Sequence, residues 1–492
     1  MATVFQNSGG WPVRKTGQSD QRDVTENLGG LTAFASMWAI AALFSMGGDY
    51  GALNFDKGLL YALPAWGIVL LSILLIRRPH SSALLFALAA FVVVLYALRS
   101  PVASNNKTIT MVMDLAILLS GGYLYWKSSD GRIDREQLYE QIRVVARALL
   151  AIMYFYGIFH KINTDFLDPE VSCAVGLYAP LASPFGLEDN IYGRYLAIYA
   201  TFIIEGIAII SLYWRKYFAV GFLLALLFHF IIPISAFSWY MDFSSLVFAL
   251  YVLSIPREVS ATAHATVHSA FSAVASRAAP FGKELIGLTV FGLAILVVVV
   301  LDFAYGERSW GLMRHSIGIL MWTVFGSVAM FILAESALRH LPYTGRHSAR
   351  QPAWLFVIPT LFFLSCLSPY LGLKTESSIN MFSNLHTEGG QTNHLLFDEP
   401  PYLFGYQRDV VRIVDASDGP MRQRAEDGQQ VVLFALRDYL RQNPDAWVSY
   451  ELDGTLHEAV TRANFAVQPG LIERNLLPFK LVDFERPKVC TH

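Results

Sequence analysis

From about Gly30 to Gly372 the apolar residues of this chain run in long blocks divided by short polar breaks. A helix rises 1.5 Å per residue and lipid offers no partner to an open backbone, so about 20 mostly apolar residues predict a membrane-spanning helix. The blocks fall at 31–47, 59–76, 82–98, 109–126, 144–161, 192–213, 218–236, 241–255, 285–303, 316–337 and 353–372. They predict a mainly α fold, a polytopic helical membrane bundle of about 11 transmembrane helices. The fifth block is amphipathic at both edges, with Arg143 and Arg147 at its start and His160 and Lys161 at its end.

The pattern changes at both ends. Residues 1–30 are polar, without a cleavable signal pattern, and predict a cytoplasmic tail. Residues 373–400 mix Met381, Phe382 and Leu385 with many polar side chains, as expected of a loop packed over a membrane surface. Residues 401–492 predict a small extracytoplasmic α+β domain. There "DVVRIVD" and "AWVSYEL" alternate like strands, and "GQQVVLFALRDYLRQNP" predicts a helix stopped at Asn443-Pro444. Residues 255–284 are expected to form a cytoplasmic loop or interfacial helix, and no internal repeat is found.

Composition sharpens the class. The chain is 54% hydrophobic and 15% charged, with a mean hydropathy of +0.41, too apolar for a soluble protein of this length. A formal net charge of −2 and the lack of a basic run give no reason to expect nucleic acid. Lys and Arg concentrate in alternate loops (Arg77, Arg78, Lys127, Arg132, Arg215, Lys216), which are therefore expected to be cytoplasmic. The opposite loops, including the acidic stretch Asp165 to Asp189, then face outward, as does everything after about Lys374. Three cysteines are too few for a disulfide scaffold, although Cys173 and Cys490 both fall on the outward side.

Ionisable side chains inside lipid are costly, so each is a candidate for function as well as for a packing ion pair. "YFYGIFHKINTDFL" brings His160 and Lys161 to the outer boundary, and "LLFHFIIPISAFSWYM" puts His229 in the outer half of its span, four residues before Pro233. Asp114, Asp302, Arg314 and His315 fall at a similar depth, and Glu205 deeper; together they suggest a polar chamber opening outward. A lysine desolvated among aromatics can act as a base near neutral pH. His386 and His394 lack metal-ligand spacing, so no metal is expected. No nucleophile-elbow, phosphate-loop, zinc-protease or dinucleotide-binding pattern is present in a fitting context.

The segment "YFYGIFHKINTDFL" resembles the hallmark segment of the vitamin K-dependent gamma-carboxylase family, whose membrane module is called the horizontally transferred transmembrane (HTTM) domain. "FH" at Phe228-His229 followed by "AFSWYMDFSSLVF" is similar to a second family segment, and "MFSNLHTEGG" to the post-membrane segment of bacterial members. The resemblance covers residues 30–395. It implies that Lys161 is the catalytic base that deprotonates reduced vitamin K or a related quinol. It further implies dioxygen and carbon dioxide as co-substrates, and His160, His229, Tyr156 and Asn384 around the quinone. A lipid-soluble quinone arriving from the bilayer, a protein or peptide acceptor and a bacterial inner-membrane location complete that expectation.

Two departures bear on it. His160 stands where the animal enzyme has a second lysine, and the outward part after Lys374 is far shorter than the animal enzyme's lumenal portion. Quinone oxidation could therefore be retained without peptide carboxylation. A different class of function is a non-catalytic membrane module that recruits a partner through its outward C-terminal domain. A transporter fits less well, since inverted repeats are not apparent.

Overall fold

The computed structural model describes residues 17–55, 58–102, 104–236, 240–256, 259–267, 269, 317–340, 351–398, 401, 403–465 and 470–482, with side chains from residue 29 onward. In chain order the helices up to the last apolar one are α1 (Gly17–Gly48), α2 (Leu59–Arg77), α3 (Ser82–Leu98), α4 (Asn105–Lys127), α5 (Arg135–Phe159), α6 (Thr164–Leu167), α7 (Cys173–Ala182), α8 (Ile191–Tyr213), α9 (Phe218–Ala236), α10 (Met241–Ser254), α11 (Ile317–Arg339) and α12 (Val357–Cys366). Among the described residues six helices are long and apolar enough to cross a membrane: α1 from Gly29, α2, α4, α5, α8 and α11. The predicted segments at 82–98, 218–236, 241–255 and 353–372 form shorter apolar helices, and 285–303 lies outside the described residues.

Exposed apolar side chains recur every three or four residues along α2 (Leu59, Leu63, Trp66, Leu70, Leu74) and α8 (Tyr192, Leu196, Tyr199, Ile203, Ile207, Ile210). Such stripes on helices of this composition suit a lipid environment, because water would penalise them. α5 is the central helix. It packs against α1, α4, α8, α10 and α12 and buries Leu138, Ile142, Val145, Leu149 and Met153.

α5 starts at Arg135, nine residues before the apolar block does, and local chemistry explains why. Asp134 caps the helix by accepting from the backbone amides of Glu136 (2.9 Å) and Gln137 (3.2 Å). Arg143 and Arg147 donate to the carbonyls of Leu253 and Ser254, each at 3.0 Å, so cations satisfy the terminal carbonyls of α10. α1 likewise begins at Gly17, inside the stretch expected to be a tail.

Beyond the bundle lies a four-stranded antiparallel sheet in the order β2-β1-β3-β4, formed by β1 (Val410–Ala416), β2 (Gln430–Val432), β3 (Val448–Leu452) and β4 (Thr455–Val460). The helices of this region are α13 (Gly419–Glu426), α14 (Leu433–Gln442) and α15 (Leu471–Leu476). The two predicted strands form as β1 and β3. The predicted helix is only half right: β-branched Val431 and Val432 pair with β1, and α14 begins after them and ends at Asn443. Leu433, Leu436 and Leu440 of α14 close the small core over Val411, Ile413 and Val448.

Candidate active site

The C-terminal end of α5 is a tightened turn. Lys161 donates its amide to Ile158 (3.0 Å) and Ile162 to Phe159 (3.2 Å), after which Asn163 locks the exit. The Asn163 amide group donates to the carbonyls of His160 (2.7 Å) and Ser383 (2.6 Å), while its oxygen accepts from the Phe166 amide (2.7 Å) and caps α6. One fully buried side chain thus ends α5, starts α6 and fastens the segment after α12.

That segment, 372–398, is a cover, buried over most of 372–388 and exposed at Leu395 and Leu396. Its backbone is tied down by Asn105 Oδ1 accepting from Ile379 (2.7 Å), by Thr164 N donating to Asn393 O (3.0 Å) and by Leu395 N donating to Ile162 O (2.9 Å). Ser377, Ile379, Phe382 and Asn384 all have φ between 54° and 60°. Four non-glycine residues in the left-handed region signify a conformation imposed by packing, not chosen locally.

Under this cover lies a cavity of about 50 Å³. Lys161, Glu205 of α8, His229 of α9, Tyr154 and Gly157 of α5, and Ile379, Met381 and Phe382 of the cover are among its walls. Lys161 is 5% exposed and donates to both Glu205 oxygens, at 2.6 and 2.9 Å. The pair packs against α5 at Gly157, where a Cβ would sit 3.5 Å from Glu205 Oε2, an ordinary contact distance. His229 shares a hydrogen bond with the Tyr154 hydroxyl through Nε2 (3.2 Å), and Tyr154 is bonded in turn to Tyr251. The second nitrogen of His229 is buried and has no partner among the described residues. The chemistry on offer is proton exchange within an ion pair beside a free imidazole nitrogen.

Of the five residues expected around a quinone, Lys161 and His229 meet at this cavity and the other three do not line it. His160 is fully buried in the wall, with both nitrogens engaged by the Tyr370 hydroxyl (2.8 Å) and the Ser378 carbonyl (2.9 Å). Tyr156 is packed among Phe155, Phe363 and His160. Asn384 is a bracket: its oxygen accepts from Cys173 N (2.8 Å) and its amide donates to Val171 O (2.9 Å). Successive residues on a helix point about 100° apart, so His160 and Lys161 could not both face one small cavity.

Asp114 does not join the cavity either; it is buried against Trp38, whose indole donates to it at 2.8 Å. Asp302, Arg314 and His315 lie outside the described residues. Two residues central to the geometry were not singled out as site residues from sequence. Glu205 had a usable signal, as the sole carboxylate in an apolar span and the natural counter-ion for a nearby cation. Asn163 had none, because a polar residue after a helix end is ordinary.

In the cover, Lys374 donates to Ser377 O (3.0 Å), and burial lowers its amine to about 8, opposed by Cys366 and Glu376. His394 bonds the Phe159 carbonyl (2.9 Å), and burial lowers its imidazole below the usual value. Among the described residues no three His, Cys, Asp or Glu side chains gather as metal ligands. Cys173 is disulfide-bonded, Cys366 is free and buried, and Cys490 lies outside the described residues. Comparison with family models, with curated proteins and with solved structures finds no match.

Proposed function

We propose that this chain is a membrane enzyme resembling the vitamin K-dependent gamma-carboxylases, working on a reduced isoprenoid quinone at the Lys161 cavity. The observation that supports it is the convergence of a buried amine, a carboxylate and a histidine with one unpartnered nitrogen on one cavity. On this reading the cavity opens at the outer leaflet of a bacterial inner membrane, with the N-terminus inside and the C-terminal domain outside; the concentration of Lys and Arg in alternate loops supports the orientation.

The donors suit such a molecule, while the small volume does not. About 50 Å³ holds a few water-sized molecules, far below the roughly 300 Å³ of a pocket for a drug-sized ligand. A ring system would be admitted only with displacement of Met381 and Phe382, the apolar side chains that the cover places over the cavity. When bound, a quinol would supply reducing equivalents to dioxygen, with carboxylation of a glutamate-bearing acceptor as the coupled outcome. The chain's own part is proton handling. Transfer of a proton from the Lys161 ammonium to Glu205, across 2.6 Å, leaves an amine able to accept one from a bound hydroxyl. His229 would orient that hydroxyl through its free nitrogen.

A second reading has its own support. The two-pronged Lys161–Glu205 pair is also what a purely structural ion pair between α5 and α8 looks like, in a non-catalytic module whose C-terminal domain recruits a partner. The two readings part in one experiment. Purified protein is incubated with menaquinol or vitamin K hydroquinone, and epoxide is sought by mass spectrometry, for the native chain and for the doubly substituted Lys161→Met, Glu205→Leu protein. Turnover by the native chain that the double substitution abolishes supports the enzyme. Absent turnover, or turnover indifferent to the substitution, leaves the structural reading.

A further inference from the structure

Large apolar side chains on a soluble-type domain need a reason to be exposed. Beyond the bundle, Leu403 and Phe404 are exposed, and so are Leu471, Ile472 and Leu476, the last two at 73% and 61%. Ile472 and Leu476 are four residues apart on α15 and so share a face, with Leu471 beside them. Glu473, Arg474 and Asn475 between them are half-buried. The short helix is therefore amphipathic with its apolar side turned outward from the protein.

Its position is fixed by hydrogen bonds at both ends. The Tyr406 hydroxyl bonds Glu473 at 2.5 Å, so α15 is tied to the 403–406 segment. That segment is tied to the outer end of the last apolar helix, since Phe404 N donates to Leu371 O (3.2 Å) and Gln407 donates to Pro369 O (3.0 Å) and Leu373 O (3.1 Å). After α15, Pro478 O accepts from Thr375 (3.2 Å) and Glu376 (3.1 Å), the residues that follow the same helix. α15 is thus held beside the segment that leaves α12, a helix whose Val357, Leu361 and Leu364 are exposed.

We infer that α15 and the 403–404 turn form a foot that rests in the bilayer interface, with Leu403, Phe404, Leu471, Ile472 and Leu476 among the outer-leaflet lipids. The hydrogen-bonded tie to the end of α12, an apolar-faced helix of the membrane bundle, selects lipid over a protein partner. The contact braces the C-terminal domain, and through Lys480 and Pro478 it also braces the cover, because Lys480 Nζ donates to Asn380 O (3.2 Å) and Lys480 N to Thr375 Oγ1 (2.9 Å). Lipid-exposed apolar surface plus snorkelling polar neighbours is the usual composition of an interfacial segment.

The test is a depth measurement on the full chain in phosphatidylcholine nanodiscs. Nitroxides are attached at Ile472→Cys, at Leu476→Cys and, as a water-facing reference, at Glu458→Cys on the exposed strand β4, with the unsubstituted chain as the labelling blank. The expected result is that labels at 472 and 476 collide several-fold more often with dioxygen than with a water-soluble nickel chelate, relative to the label at 458. Equal behaviour at all three positions overturns the inference. So does protection of 472 and 476 from both agents, which would mean that a second copy or another protein covers the face.

Discussion

Two ion clusters sit near helix ends, and they are built differently. In the cavity, one cation meets one carboxylate: the side chains of Lys161 and Glu205 are 7% and 8% exposed. In the other cluster, Asp49 at the end of α1 takes two cations, Arg99 and Lys107, whose side chains are 31% and 21% exposed. Burial would push Asp49 up, but hydrogen bonds from Arg99 and Lys107 outweigh it and hold its carboxyl below the usual range. The exposed cluster can exchange its partners for water; the buried pair cannot. Charge neutrality is therefore a structural requirement at Lys161 and only a preference at Asp49.

The largest expected effect tests that contrast directly. Lys161→Ala leaves Glu205 buried without a cation and should cost about 3–5 kcal/mol, whereas replacing the pair together by Met and Leu should be close to neutral. Thermal unfolding of the native chain, Lys161→Ala and the double variant in one detergent measures the contrast. Equal losses in the single and double variants would erase the distinction. For the same reason Lys161→Ala alone is a poor test of catalysis.

Asn163→Ala should come next, at about 2–3 kcal/mol, because it strands the carbonyls of His160 and Ser383 and the amide of Phe166. The loss should appear as faster hydrogen exchange in 372–398, with the Asp49 region unchanged; uniform acceleration would mean that the cover is not a separate unit.

Lys374 offers an intermediate case, a largely buried cation whose amine donates to a carbonyl and not to a carboxylate. With its amine lowered to about 8, the folded protein binds fewer protons than the unfolded chain between pH 8 and the ordinary lysine value. Stability should therefore rise with pH over that interval, by about 2 kcal/mol from pH 8 to pH 10, and Lys374→Met should flatten the rise. Denaturation midpoints across pH decide it.

The smallest effect is expected at the exposed cluster. Asp49→Asn should cost about 1 kcal/mol, and the loss should shrink in 1 M salt, which screens partly exposed charges but leaves a buried pair largely untouched. The depressed Asp49 carboxyl contributes stability above the ordinary carboxylate range and loses it as pH falls through that range, so the variant should also show a weaker acid-induced loss.

What could be read in advance follows the reach of the forces. Apolar blocks located the helices because lipid compatibility is a property of a segment's own composition, and β1 and β3 were visible because alternation is local. Gln430–Val432 was misassigned because a strand of three residues carries too little alternation to outweigh the helical signal after it. Lys161 and His229 were legible as costly polar groups in apolar surroundings. His160 and Tyr156 lie on a face of α5 turned away from the one that brings Gly157 and Lys161 to the cavity, and Asn384 is drawn to Val171 and Cys173 by the fold of residues 372–398, a long-range contact that no local pattern reveals.

The sequence by itself determined that the chain is mainly helical, suited to lipid, and carries a cation where α5 leaves the bundle. Only the tertiary structure decided that Glu205, from another helix, neutralises that cation, and that residues 372–398 fold back in strained backbone to bring Ile379, Met381 and Phe382 to the cavity. Composition sets what each segment costs in its solvent, but pairing across distant segments depends on packing that no single segment encodes.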